Sequence, residues 1–152
     1  MKNNKSIGVI LIVACSILFS CATTQQTQLK SNDAVVHNNR GFDYCQIGQY
    51  DQAISDFTKA IEINPWLAHA YNNRGWAYVK KWQFDHAISD FSKTIEIDPR
   101  FVEAYFHRAV GYFLVEEYDK SLLDVIKAQQ LGYQIPIEFL DELRKAAGGV
   151  DM

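Results

Sequence analysis

HNNRGFDY (residues 37–44) followed by YDQAISDFTKAIEINP (50–65), and YNNRGWAY (71–78) followed by FDHAISDFSKTIEIDP (84–99), are two copies of one text. Gly41 and Gly75 lie 34 residues apart, as do Pro65 and Pro99. Arg40, Arg74 and Arg108 keep the same 34-residue spacing, and so do Tyr44, Tyr78 and Tyr112, and Asp56, Asp90 and Asp124. A third copy, YFHRAVGY (105–112) and YDKSLLDVIKA (118–128), is weaker but in register.

Within each copy the apolar residues recur at helical spacing, as in Ala53, Ile54, Phe57, Ala60 and Ile61. Small residues at Gly41 and Ala53 let two helices approach closely, and Tyr44 and Phe57 fill the space beside them. Pro65 and Pro99 stop the second helix of their copy, because the residue before a proline is disfavoured in the α region. Asp51, Asp85 and Asp119 fall near the start of the second helices, where negative charge suits the helix dipole. One such unit cannot bury its own apolar face, so neighbours must stack.

A period of this length with Gly41, Tyr44, Ala53, Phe57, Ala60 and Pro65, then Tyr71, Gly75, Tyr78, Ala87, Phe91 and Pro99, resembles the tetratricopeptide repeat. The resemblance implies an all-α fold: a right-handed superhelix of three helix-turn-helix repeats plus a C-terminal capping helix. The expected boundaries are a lipoprotein signal peptide at 1–20, a tether at 21–33, repeats at 34–67, 68–101 and 102–135, and a capping helix and tail at 136–152. In the third repeat Ala109 stands for the glycine, Ser121 for the alanine and Val125 for the aromatic, and the proline is missing. Terminal repeats are often atypical. Gly132 reads as a helix stop and Pro136 as a first helical residue. Ile137, Leu140, Leu143 and Ala147 then mark an amphipathic last helix, with Glu138, Asp141, Glu142 and Arg144 on its polar side.

Arg40, Arg74 and Arg108 stand where the family usually carries Leu, and Asp56, Asp90 and Asp124 follow 16 residues later. Recurrence of both members in all three repeats predicts an Arg–Asp bridge between the two helices of each repeat. The first helices of such repeats line a concave groove. Positions that point into it map onto Asn38, Phe42, Cys45 and Gln46, onto His69, Asn72, Asn73, Trp76, Val79 and Lys80, and onto Glu103, Phe106, His107, Val110, Phe113 and Leu114. The expected surface is apolar and aromatic with amides among the rings, suited to an extended peptide. Phe42 and Trp76 either meet a ligand or pack against the next repeat. Some members clamp a C-terminal carboxylate with Lys, Asn and Arg, but only Asn73 matches that pattern, and Glu103 and His107 stand where cations are needed.

Outside the repeats the sequence reads as an address. Lys2 and Lys5 precede a 13-residue apolar run from Ile7 to Phe19, shorter than the roughly 20 residues of a membrane-spanning helix and suited to a secretory signal. Leu18-Phe19-Ser20-Cys21 resembles the bacterial lipobox, which implies lipid attachment at Cys21. Ile12-Val13-Ala14-Cys15 also fits, but it would leave an apolar stub on the mature chain. Ala22 after the cysteine implies an outer-membrane anchor with the domain facing the periplasm. Removal of residues 1–20 takes Lys2 and Lys5 and moves the formal net charge from -3 to -5.

The whole chain has 152 residues, 48% hydrophobic and 22% charged, a globular composition with no basic footprint for nucleic acid. Three cysteines give neither a disulfide framework nor a zinc ribbon, and Cys45 reads as a small, mostly buried thiol. His37, His69, His86 and His107 show no metal-ligand spacing. No nucleophile motif, phosphate loop or catalytic carboxylate pair stands out. The expectation is a binding protein without enzymatic chemistry, cofactor or metal, tethered by lipid and holding a protein partner in its groove, as pilotins and cell-envelope enzyme adaptors do. The competing reading is a self-associating structural component of an envelope assembly.

Overall fold

The computed structural model describes residues 32–148. The signal peptide, Cys21 and almost all of the tether lie outside the described residues. Seven helices occupy the described part: α1 (32–46), α2 (Tyr50–Ile63), α3 (Ala68–Lys80), α4 (Phe84–Ile97), α5 (Val102–Leu114), α6 (Tyr118–Gln130) and α7 (Ile137–Ala146). Among these residues there is no strand, and no helix is long and apolar enough to cross a membrane. Each helix packs on its neighbours in sequence, and α3 also touches α5.

Local chemistry explains each boundary. Asn64 and Asp98 end α2 and α4 in extended backbone, because Pro65 and Pro99 follow them. Their side chains then turn the chain: Asn64 Oδ1 accepts from the Trp66 N–H at 3.1 Å, and Asp98 Oδ1 from the Arg100 N–H at 2.9 Å. Asp51, Asp85 and Asp119 occupy the first turns of α2, α4 and α6. The first helix of every repeat closes on a left-handed residue, Gly48 (φ 75°), Trp82 (φ 60°) or Glu116 (φ 63°). The next N–H reaches back to Tyr44, Tyr78 and Tyr112 respectively, at 2.9, 3.0 and 2.9 Å. This is a Schellman closure, which capped helices commonly use.

Close approach of paired helices sets the core. A Cβ at Gly41 would lie 2.7 Å from Phe57 Cε1, and one at Gly75 would lie 2.7 Å from Phe91 Cε1. Both rings are fully buried. The third repeat solves the same space differently, with Ala109 facing a smaller Val125. Ser121, the other departure there, is buried and donates to the Ala109 carbonyl at 2.8 Å.

The last helix begins at Ile137, with Pro136 extended in the cap, one residue earlier than expected for that proline. Leu143 is fully buried beside Ala109 and Val125, with Phe139 and Leu140 packed around it. Ile137, expected on the inner stripe, is exposed.

Candidate functional site

The faces of α1, α3 and α5 share one surface, because each is the first helix of its repeat. What each face presents depends first on the Arg–Asp pairs, which anchor it from behind. Arg74 donates through Nε and Nη2 to Asp90, both at 2.8 Å, and Arg108 does the same to Asp124 at 2.7 and 2.8 Å. Arg40 holds Asp56 by both nitrogens at 2.5 Å. The Arg40 hydrogen bonds hold the Asp56 carboxyl below its usual range against the opposing effect of burial, and His37 adds a contact at 3.2 Å.

Two further observations were not read from the sequence. Arg74 Nη1 donates to Thr58 at 3.0 Å and Arg108 Nη1 to Ser92 at 3.1 Å, so each arginine also ties its repeat to the preceding one. Each guanidinium lies near two tyrosine rings of its own helix, Tyr71 and Tyr78 or Tyr105 and Tyr112, at 5.7–6.0 Å. His37 takes the Tyr71 position in the first repeat.

The groove side carries an amide ladder. Asn73 donates to Asn38 at 3.1 Å, and His107 Nδ1 lies 2.9 Å from Asn72 Oδ1. Each rung joins residues 35 apart and links neighbouring repeats. The amides expected to greet a ligand are therefore partly engaged with one another. Asn72 is buried, which was not expected of a groove residue.

Between the first two repeats lies a cleft of about 240 Å³. Phe42, Cys45, Gln46, Asn72, Asn73, Trp76, Lys80 and His107 line it, together with Tyr50 and Phe57, which the sequence reading did not assign to it. Phe42 is half exposed on the cleft rim. Trp76 stacks on His107, with centroids 5.2 Å apart, while the Lys80 ammonium sits 4.7 Å above its ring. The imidazole of His107 is buried, which pushes its pKa down to about 4 against a smaller opposing influence from Glu103. It is therefore a neutral ring at neutral pH. Burial also raises the Cys45 thiol, which keeps it protonated and weakly nucleophilic. It is half-buried, more open than expected.

Other expected groove residues lie elsewhere. His69 meets Phe101 edge-on at 4.9 Å, in a second cleft with Asn72, Glu103 and His107. Val79 lines an apolar hollow with Trp82, Phe84 and Leu114. Val110 is half-buried on α5. Phe106 and Phe113, expected to point into the groove, both meet the closing segment of the chain. Phe106 stacks on Tyr133 at 5.0 Å and meets Phe139 at 5.5 Å, and Phe113 meets Phe139 at 5.4 Å. The last helix has taken that part of the aromatic surface. Among the described residues no group of His, Cys, Asp or Glu is placed to hold a metal ion.

Comparison with known proteins is consistent with this architecture. Residues 34–67 and residues 68–101 each match the tetratricopeptide repeat. No curated protein matches the sequence. Among solved structures, the chain is similar to the first TPR of Spaghetti (RPAP3) bound to the HSP90 peptide SRMEEVD. Identity is 27% and the TM-score 0.72, over 77% of this chain and 92% of that one. It is similar to the Arabidopsis OM64 TPR domain at 26% identity and a TM-score of 0.73, over 76% and 98%. The TPR2B domain of yeast Sti1, in complex with pHsp70, gives 29% identity and a TM-score of 0.66, over 78% of this chain and 96% of that one.

Proposed function

We propose that this tetratricopeptide superhelix, closed by its seventh helix, is a protein-interaction adaptor whose ligand is a peptide segment held between the first two repeats. The observation that carries the reading is the cleft bounded by Phe42 and Trp76. It is concave, aromatic and partly exposed, and Lys80 and Asn73 stand beside the rings. Peptide complexes among the similar structures support it.

The ligand's chemistry follows from the lining. Arg74 and Arg108 point away from the cleft into their carboxylates, so Lys80 is the only Lys or Arg among its lining residues. An acidic tail of the SRMEEVD kind finds few cations here. An internal segment that inserts an apolar or aromatic side chain between Phe42 and Trp76 fits better, with Gln46 and the side-chain carbonyl of Asn73, whose amide nitrogen is engaged by Asn38, placed to bond its backbone.

Phe42→Ala tests this most cleanly, because the ring is half exposed and makes no ring–ring contact among the described residues. Crosslinking from membranes should capture a partner with the full chain and lose it with Phe42→Ala, while the melting curve stays unchanged. Equal capture by both would move the interface out of the cleft. Trp76→Ala should lose capture and also some stability, about 1 kcal/mol, because its ring supports His107.

The lipid anchor at Cys21 belongs to the same reading. It would hold the adaptor at the periplasmic face of an outer membrane and raise its effective concentration toward envelope partners, as for pilotins or adaptors of cell-envelope enzymes. The lipobox resemblance and Ala22 support it. Labelling with an alkyne fatty acid should mark the chain and fail on Cys21→Ala; label retained by that variant would defeat the anchor at this cysteine.

A further inference from the structure

Among the described residues, the last helix covers one end of the stack and nothing covers the outer face of α1 at the other. In the second and third repeats, Ala70 and Ala77 of α3, and Ala104 and Gly111 of α5, are buried, Ala77 beside Ala53 and Phe57 of the first repeat and Gly111 against Ile88 of the second. The matching positions on α1 are Val36 and Asp43, and both are exposed. With Arg40, and with Ile47 in the turn that directly follows the helix, they form a stripe down α1 at spacings of four, three and four residues, one helical face. Val36 is 61% exposed and Ile47 67%. The arginine confirms that this is a stacking face. The Arg40 side chain is 50% exposed where that of Arg74 is 17%. Among the described residues, the Arg40 Nη1 has no counterpart to the Thr58 and Ser92 hydroxyls that Arg74 and Arg108 use.

The stripe is complementary to itself. Set antiparallel to a copy about a two-fold axis beside residues 41 and 42, it pairs Val36 with Ile47 of the second copy. The same register pairs Arg40 with Asp43 of the second copy. Apolar meets apolar and cation meets anion at all four positions, the condition for an isologous interface. We infer that the chain forms a two-fold dimer through the outer face of α1, with a second copy completing the face that α2 and α4 complete for α3 and α5. A pair of four-turn helices buries less than the roughly 1,600 Å² of a standard interface, so the dimer is weak and concentration-dependent. The peptide cleft lies on another face of α1 and stays accessible.

Sedimentation velocity of the full chain in neutral detergent, from low to high micromolar concentration, tests the inference. Reversible dimerisation is expected. Asp43→Lys and Ile47→Lys, both at exposed positions, should each weaken it by about tenfold or more without altering the melting curve of the dilute protein. The register has its own test in a Cys45→Ala background. Val36→Cys mixed with Ile47→Cys should form a disulfide-linked dimer faster than either variant alone. A monomer at every concentration would overturn the inference, as it would if residues 22–31 or another protein covered the stripe. A dimer indifferent to both lysine substitutions would overturn it equally.

Discussion

Trp82 holds a left-handed backbone at φ 60° with 79% of its surface exposed, at a position where the first repeat has Gly48. A left-handed conformation costs a residue with a side chain about 1–2 kcal/mol, and this ring recovers little by burial. Trp82→Gly should therefore raise stability, by up to about 1 kcal/mol after the added freedom of the unfolded chain is set against it. Urea melts would measure the gain; a loss would mean that contact with Phe84 and Val79 outweighs the strain. Gly75 is the opposite case. Its α-carbon sits where any Cβ meets Phe91, so Gly75→Ala should cost about 1–3 kcal/mol. Adding Phe91→Val recreates the Ala109–Val125 pairing of the third repeat, and the double variant should lose less than the sum of the two single losses. Simple additivity would show that the third repeat is not a repacked version of the others.

Pairs of helices are joined by charge as well as by packing, and the sequence revealed only part of that arrangement. Arg40, Arg74 and Arg108 could be matched with Asp56, Asp90 and Asp124 because both members recur at one spacing. Thr58 and Ser92 could not, because hydroxyls are common and these reach the arginine of the following repeat. The helices and their order were legible for the same reason as the arginines: a 34-residue period fixes every element at once. The fate of Phe106 and Phe113 was not legible, since it depends on where α7 docks. Nor was the amide ladder, since a sequence lists donors and acceptors without saying which of them meet.

The charge network makes its own forecast. Arg74→Ala leaves the buried Asp90 carboxylate without its cation and should cost about 2–4 kcal/mol. The Arg74→Ala, Asp90→Ala double variant should cost less than the two singles together. Arg40→Ala should cost less than Arg74→Ala, because Arg40 is the more exposed and lacks the bond to a preceding repeat. Equal losses at the two positions would show that the link to Thr58 adds nothing.

At the scale of the whole molecule, His107 connects the cleft to the closing end. It stacks on Trp76, bonds to Asn72, and lies 5.4 Å from Phe91 and 6.2 Å from Phe106, ring to ring. Its pH dependence follows from that enclosure. In the unfolded chain an imidazole takes up a proton near pH 6.5, whereas burial delays this in the folded chain to about pH 4. Between those values the unfolded state binds more protons, so stability falls as the pH falls from 6.5 towards 4 and this contribution levels off below. The full loss is about 3 kcal/mol. Asp56 acts in a separate window: its carboxyl is held below the ordinary value of 3.8, so its contribution is lost only as the pH drops beneath that. Chemical melts of the full chain at intervals from pH 7 to pH 4 should show the decline, and His107→Gln should flatten it while retaining a polar partner for Asn72. Because the protonated ring would sit between Trp76 and Asn72, peptide affinity in the cleft should weaken across the acidic end of the same range. A stability profile unchanged by His107→Gln would place the acid sensitivity on the carboxylates instead.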